Sequence, residues 1–384
     1  MAPHSNSHSC VTNRLPRAEQ SCSTGPRYVK ARPIHDTVGA ISSRTAESDT
    51  LLPMYRKVAV RGSDSPRLFV VVDTEEEFDW SAPFSSLNTS VSAVAHIGRV
   101  QSIFDQFNLQ PTYVVDYPVA AQQQGREPLQ DIWSRGRCTI GAHLHPWVNP
   151  PYGEAITRRH SFLCNLPQRL QKDKLNALVE MIAEHFDTPR VFKAGRYGLD
   201  NSTVAVLDEA GFHVDTSLSP RMNYRDQEGP AFENYDALPF FLTPRLLELP
   251  LTIDYTGWTG ALRPLLHRMA TAEPLARVRA AGVLIRIAAV NRIGLSPEGN
   301  TLAEMKSLTS AMIRRGCRTF CLCFHSPSVV PGCTPYVRTQ ADLGRFLATI
   351  ERFLEFFMHD LHGVAASLLE FRQELLSATV ETAQ

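Results

Sequence analysis

Short continuous apolar runs alternate with longer amphipathic stretches through most of the chain. Leu68-Phe-Val-Val-Val-Asp73 is apolar at successive positions, the pattern of a strand buried on both faces of a parallel sheet. Val94, Ile97, Val100, Phe104 and Phe107 follow at helical spacing. Pro111–Asp116 predicts a second strand, and a helix is expected over Val119–Ser134. Cys138–Ala142 predicts a third strand leading into His143. Leu175, Leu178, Val179, Ile182 and Phe186 then make an amphipathic helix. Val191–Ala194 predicts a fourth strand and Phe212–Asp215 a fifth, with Asn201 or Ser202 capping the helix between them. Residues 218–300 interrupt the rhythm and read as an irregular insertion, with a strand over Leu246–Ile253. Leu302, Met305, Leu308 and Met312 resume a helix, Thr319–Phe324 is the last strand, and the stripe from Leu343 to Phe357 is a core-facing helix.

Repeated strand–helix units imply parallel strands joined by right-handed crossovers. About seven strands fit a barrel-like α/β sheet. Residues 1–66 are rich in Ser, Thr, Pro and Arg and read as a disordered or loosely attached tail, with at most a short element over Met54–Val60. Residues 67–384 form the expected single domain.

Composition narrows the classes. Lys plus Arg and Asp plus Glu both number 39, so no net charge draws the chain to nucleic acid. There is no run of about 18 apolar residues, so no membrane span is expected. The first residues have no apolar core of a secretory signal, and the expected location is the cytoplasm. The 8 cysteines include no C-x-x-C pair, and Cys321 and Cys323 read as small hydrophobes on one strand face. Neither a P-loop, nor a G-x-G-x-x-G after a strand, nor a G-x-S-x-G elbow is present.

Ionisable residues collect at the strand ends. Asp73, Asp116, His143, Asp215, Asp254 and His325 each follow or end a strand, with Lys193 and Arg196 at the fourth. In a (β/α) barrel these ends converge on one face, where active sites lie. Asp73-Thr-Glu75-Glu76-Glu77-Phe-Asp79 reads either as a solvated acidic loop or as a site in which Asp73 and Glu75 share a face. His143-Leu-His145 leaves a strand with both rings on one side. Two His and a carboxylate make a common catalytic metal set. Trp147 is either a wall for a sugar ring or a buried anchor. His325 alone is an ordinary core histidine; at the same barrel mouth it is a general-acid candidate.

Four phrases, VVDTEEEFDW, IGAHLHPWVNPP, FKAGRYGLDNSTVAVLDEAGF and FHSPSVVPGCTPYVRT, resemble in order the polysaccharide deacetylases with the NodB homology domain. The resemblance is nearest the WalW-type branch and spans roughly residues 67 to 360. It implies a distorted (β/α)7 barrel of the glycoside hydrolase/deacetylase type that hydrolyses N- or O-acetyl groups on carbohydrates with a divalent metal, zinc being expected. It implies Asp73 as base and Glu75 as metal ligand, with Glu76 the alternative. The family's second His stands four residues after the first; here that position is Trp147, and His145 serves instead. The family's base-orienting Arg is matched by Lys193 or Arg196, and its general acid by His325. The backbone N–H of Tyr197 would help hold the oxyanion, and Asp116 and Asp215 would position the base, the acid or the sugar, unless they are structural caps. The partner implied is a carbohydrate. Rival expectations are an amidohydrolase of another amide and a glycan-binding protein without activity.

Overall fold

The computed structural model describes residues 52, 54–58, 60, 64–256 and 291–381. Its strands are β1 (Arg56–Lys57), β2 (Arg67–Thr74), β3 (Thr112–Val115), β4 (Thr139–Leu144), β5 (Val191–Ala194), β6 (Val214–Asp215), β7 (Phe240–Phe241), β8 (Leu247–Glu248), β9 (Ile253–Thr256), β10 (Asn291–Gly294), β11 (Thr319–His325) and β12 (Val364–Ala365). The main sheet is mixed. β11, β2, β3, β4, β5, β6 and β8 pair in parallel in that order, and β7 and β1 continue it antiparallel beyond β8. Between the two parallel edge strands, the Leu295 amide donates to Thr252 O and the Cys323 amide to Leu295 O, at 2.8 and 3.1 Å. The fold is α/β.

Period-two alternation sorts the side chains. Leu68, Val70 and Val72 of β2 join the large core under the helices. Phe69 and Val71 join an inner core with Val114, Val191, Val214, Leu247 and Cys321. The next inward positions, at the C-terminal strand ends, are Asp73, His143, Lys193, Cys323 and His325. One inner stripe is thus apolar at the bottom and ionisable at the top. A Cβ at Gly141, the inward position below His143, would lie 2.8 Å from Val114 Cγ1 and 2.9 Å from Val191 O, so the strands close this tightly only around glycine. The other end is plugged by a C-terminal helix, Leu368–Glu381, whose Phe371 ring packs 5.2 Å from Phe69.

Several expectations change. The single helix over Val119–Ser134 is two, α1 (Tyr117–Ala121) and α2 (Gln123–Ser134), because Gln122 is extended and donates its side-chain amide to Pro118 O and Thr89 O. The cap of the Asn201–Glu209 helix is Asp200, which accepts from the Thr203 amide at 2.9 Å. The strand expected over Leu246–Ile253 is two, β8 and β9. Part of the expected insertion is not one: β7 and β8 belong to the main sheet, their two-residue lengths leaving no periodicity to read. Residues 257–290 of it lie outside the described residues, as does most of the expected tail. The described part of that tail is attached, β1 pairing with β7 and Leu52 lying buried.

Candidate metal centre

Glu75, His143 and His145 present ligand atoms that all lie within 4.8 Å of one another, and all three are buried. His143 is the penultimate residue of β4 and His145 follows two residues on, so the pleat aims both rings inward. Glu75 stands two past Asp73 on the same face, and its amide donates to Ser326 Oγ. Its Oε2 is 3.4 Å from His143 Nε2 and 3.5 Å from His145 Nε2. His143 Nδ1–H donates to the Lys193 carbonyl at 2.9 Å, which leaves Nε2 with its lone pair. His145 Nδ1 is 2.8 Å from Glu76 Oε2, whose other oxygen accepts from Trp147 Nε1. Where Nδ1 carries the proton of that contact, His145 Nε2 also faces inward with its lone pair, toward Glu75. Burial depresses both imidazoles, His145 to about 4, and so favours neutral, ligating rings. Glu75 Oε1 is buried without a hydrogen-bond partner. Two imidazole nitrogens and a carboxylate, one of whose buried oxygens has no partner, fit a divalent cation with open positions.

A second cluster, Glu76, Asp116 and His145, has the same ligand types. Its oxygens are already engaged. Asp116 accepts from the Glu76 amide at 2.7 Å and from the Val119 amide at 2.8 Å, and Glu76 holds His145 and Trp147. It is the support behind the first cluster, a carboxylate–histidine arrangement that fixes a ligand's orientation. Glu76 therefore stands behind a candidate ligand and not in its place.

Asp73 sits beside this set. Lys193 Nζ donates to both of its oxygens, at 2.7 and 2.6 Å, and to Cys323 Sγ at 2.9 Å. Burial opposes ionisation of Asp73, but Lys193, His143 and His325 outweigh it and hold its pKa at about 2. His325 Nε2 is 3.7 Å from Asp73 Oδ2, which the β11–β2 register, His325 opposite Asp73, makes possible. Its Nδ1 is 2.7 Å from Glu298 Oε2, and its amide donates to Glu298 Oε1 at 3.1 Å. Burial alone would depress His325; Glu298, Glu75 and Asp73 around it raise its pKa to about 10. The ring is protonated at neutral pH.

A cleft of about 320 Å³ opens over these groups, lined also by Phe78, Trp80, Phe84, Phe162, Tyr224 and Tyr336. Trp80 and Tyr336 are 38% and 39% exposed and meet edge to face, and Trp80 stands 4.9 Å from His325. Trp147 is only 2% exposed and stacks on His145 at 4.2 Å, so it locks a candidate ligand, and the exposed wall is Trp80 and Tyr336. Tyr197 lines the cleft and stacks on Tyr224. Of the two basic residues expected at the base, Lys193 reaches Asp73, and Arg196 bonds Gln227 instead.

Asp116 and Asp215 do not reach the cleft. Asp116 caps α1, and Asp215, fully buried, accepts from Ser217 Oγ beside Glu248. Asp254 pairs with Arg221 and Arg315 away from the cleft. Cys321 is a small inner-core hydrophobe as expected, but Cys323 touches Lys193 because the alternation carries it up to the polar end. Sequence reasoning named Trp147 and Tyr197 but missed Glu298, Ser326 and the exposed cleft aromatics Trp80 and Tyr336. Glu298 stands in a Ser-Pro-Glu-Gly turn with no spacing that ties it to His325.

No protein-family model matches the sequence, and no curated protein does. Solved structures similar to it include a protein assigned to the polysaccharide deacetylases from Mycobacterium smegmatis, at 14% identity and TM-score 0.48, covering 85% of this chain and 96% of that one. Others are a chitin deacetylase from the fungal pathogen Colletotrichum lindemuthianum, at 10% identity, TM-score 0.35 and coverages of 81% and 89%, and a family 4 carbohydrate esterase from Streptomyces lividans, at 10%, 0.34, 79% and 93%. The functional reading therefore rests on the site itself.

Proposed function

We propose that the protein is a metal-dependent hydrolase that removes N- or O-acetyl groups from a carbohydrate, on a distorted seven-stranded (β/α) barrel of the polysaccharide-deacetylase type. One observation carries this reading: a three-donor metal set, an Asp–Lys pair and a carboxylate-held histidine meet at one end of the inner stripe of a parallel sheet. The assignment to the WalW-type branch rests on the four sequence phrases alone.

Glu75, His143 and His145 would hold the ion, zinc by the family resemblance, and a divalent ion there supplies an acidified water and a polarised acyl oxygen. Asp73, kept ionised by Lys193, accepts the proton of the attacking water. Lys193 fixes the direction of the carboxylate as an ammonium, without the fork of an arginine. His325, protonated and steered by Glu298, gives its proton to the departing amine or hydroxyl. The Tyr197 backbone N–H is the candidate second donor to the oxyanion. Trp80 and Tyr336 offer apolar faces to a sugar ring, and acetate is the second product.

Acetate release from acetylated sugars tests the reading. Asp73→Asn should lose turnover by about a thousandfold or more while keeping its metal. Loss of metal from that variant would make Asp73 a ligand and overturn its role as the base.

A further inference from the structure

Beside His325, whose charge Glu298 and Asp73 face, two basic side chains line the cleft, Lys193 and Arg196, and their surroundings differ. Lys193 is neutralised by Asp73. Arg196 has no carboxylate partner among the described residues; its hydrogen bond goes to the neutral amide of Gln227. The Phe84 and Phe162 rings lie 4.8 and 4.4 Å from its Cζ and shield part of the half-buried guanidinium from water. Burial, and then the neighbouring cation Arg158, pull its pKa down to about 10. A partly buried cation without a counterion is costly, and the neighbouring cation Arg158 makes it more so.

The backbone sets this cation in place under strain. Arg196 and Tyr197 are both left-handed, at φ 53 and 62, a region that side chains with a Cβ rarely adopt. Gly195 before them packs so closely on the metal set that a Cβ there would lie 2.2 Å from His145 Cδ2. The strained turn thus carries a charged fork beside a candidate ligand.

We propose that Arg196 is the seat for a carboxylate of the substrate, so that the acetylated compound handled at the neighbouring metal centre is an acidic sugar and not a neutral one. This rests on the metal-hydrolase reading above. A planar carboxylate matches the edge of a guanidinium whose faces meet aromatic rings. A doubly charged phosphate would be repelled more strongly by the Asp79 carboxylate, which lines the same cleft. Arg196 is then a specificity residue, and Lys193 keeps the base-orienting role.

Intrinsic fluorescence of the zinc-loaded full chain, in which two of the four tryptophans, Trp80 and Trp147, line the cleft, can follow binding of two probes, N-acetylmuramic acid and its methyl ester. The wild type should bind the acid roughly ten- to a hundredfold more tightly. That ratio should shrink with added salt and fall to about one in Arg196→Gln. Arg196→Lys keeps the charge without the fork, so it should retain a small part of the preference; it serves as the test if the Gln variant does not fold. Equal binding of acid and ester by the wild type, a preference that survives in Arg196→Gln, or no binding of either probe overturns the proposal. Zinc content of the same samples separates the two failures. Stoichiometric zinc without preference sinks this inference alone, whereas absence of zinc sinks the metal centre and this inference with it.

Discussion

Glu298→Gln removes the charge that faces His325 and little else, since the amide has nearly the shape of the acid. Glu298 is 8% exposed, and its carboxylate takes the His325 ring at 2.7 Å, the His325 amide at 3.1 Å and the Ser328 hydroxyl. A hydrogen bond to a charged group contributes about 1.5–3 kcal/mol. One pKa unit is about 1.36 kcal/mol, so His325 should fall by roughly one to two units from about 10. Asp73 and Glu75 remain to hold the rest of the shift. The folded protein binds this proton more tightly than the unfolded chain, where histidine titrates near about 6.5. The stabilisation is therefore fully present below about pH 6.5 and lost as pH climbs through about 10. The variant should be less stable by about 2 kcal/mol at acidic to neutral pH, with the gap narrowing toward about pH 10. Urea unfolding across that range, with NMR titration of the His325 ring in metal-free protein, reads both quantities. An unchanged His325 pKa, or a gap that does not narrow, would refute the reasoning.

Lys193→Met should cost about 3–5 kcal/mol in denaturant unfolding, because it strands the buried Asp73 carboxylate; a loss under about 1 kcal/mol would mean that Asp73 is neutral in the fold. Gly195→Ala should lower metal affinity roughly ten- to a hundredfold, since its Cβ would displace His145. Unaltered affinity in a competition with a chelator would remove His145 from the ligand set.

The strands that carry the site were legible because inner-stripe residues on a buried parallel strand leave continuous apolar runs. Asp73, His143 and His325 could therefore be placed at strand ends from sequence. Their meeting could not, since it depends on the register that sets His325 opposite Asp73, over 250 positions apart in the chain. Asp116 and Asp215 stand at similar strand ends, yet one caps a helix and the other pairs inward with Glu248. A carboxylate after a strand carries no mark of which neighbour takes it. Glu298 was invisible for the converse reason: its partner is distant and its turn is ordinary. β1, β7 and β12 have two residues each, too few for any period.

Zinc content of the purified full chain, measured beside Glu75→Ala, His143→Ala and His145→Ala, tests the central claim most directly. About one equivalent of tightly held zinc or another divalent ion in the wild type, lost or much weakened in each variant, is the predicted result. A wild type that holds no metal after reconstitution, or variants that all keep it, would contradict the account.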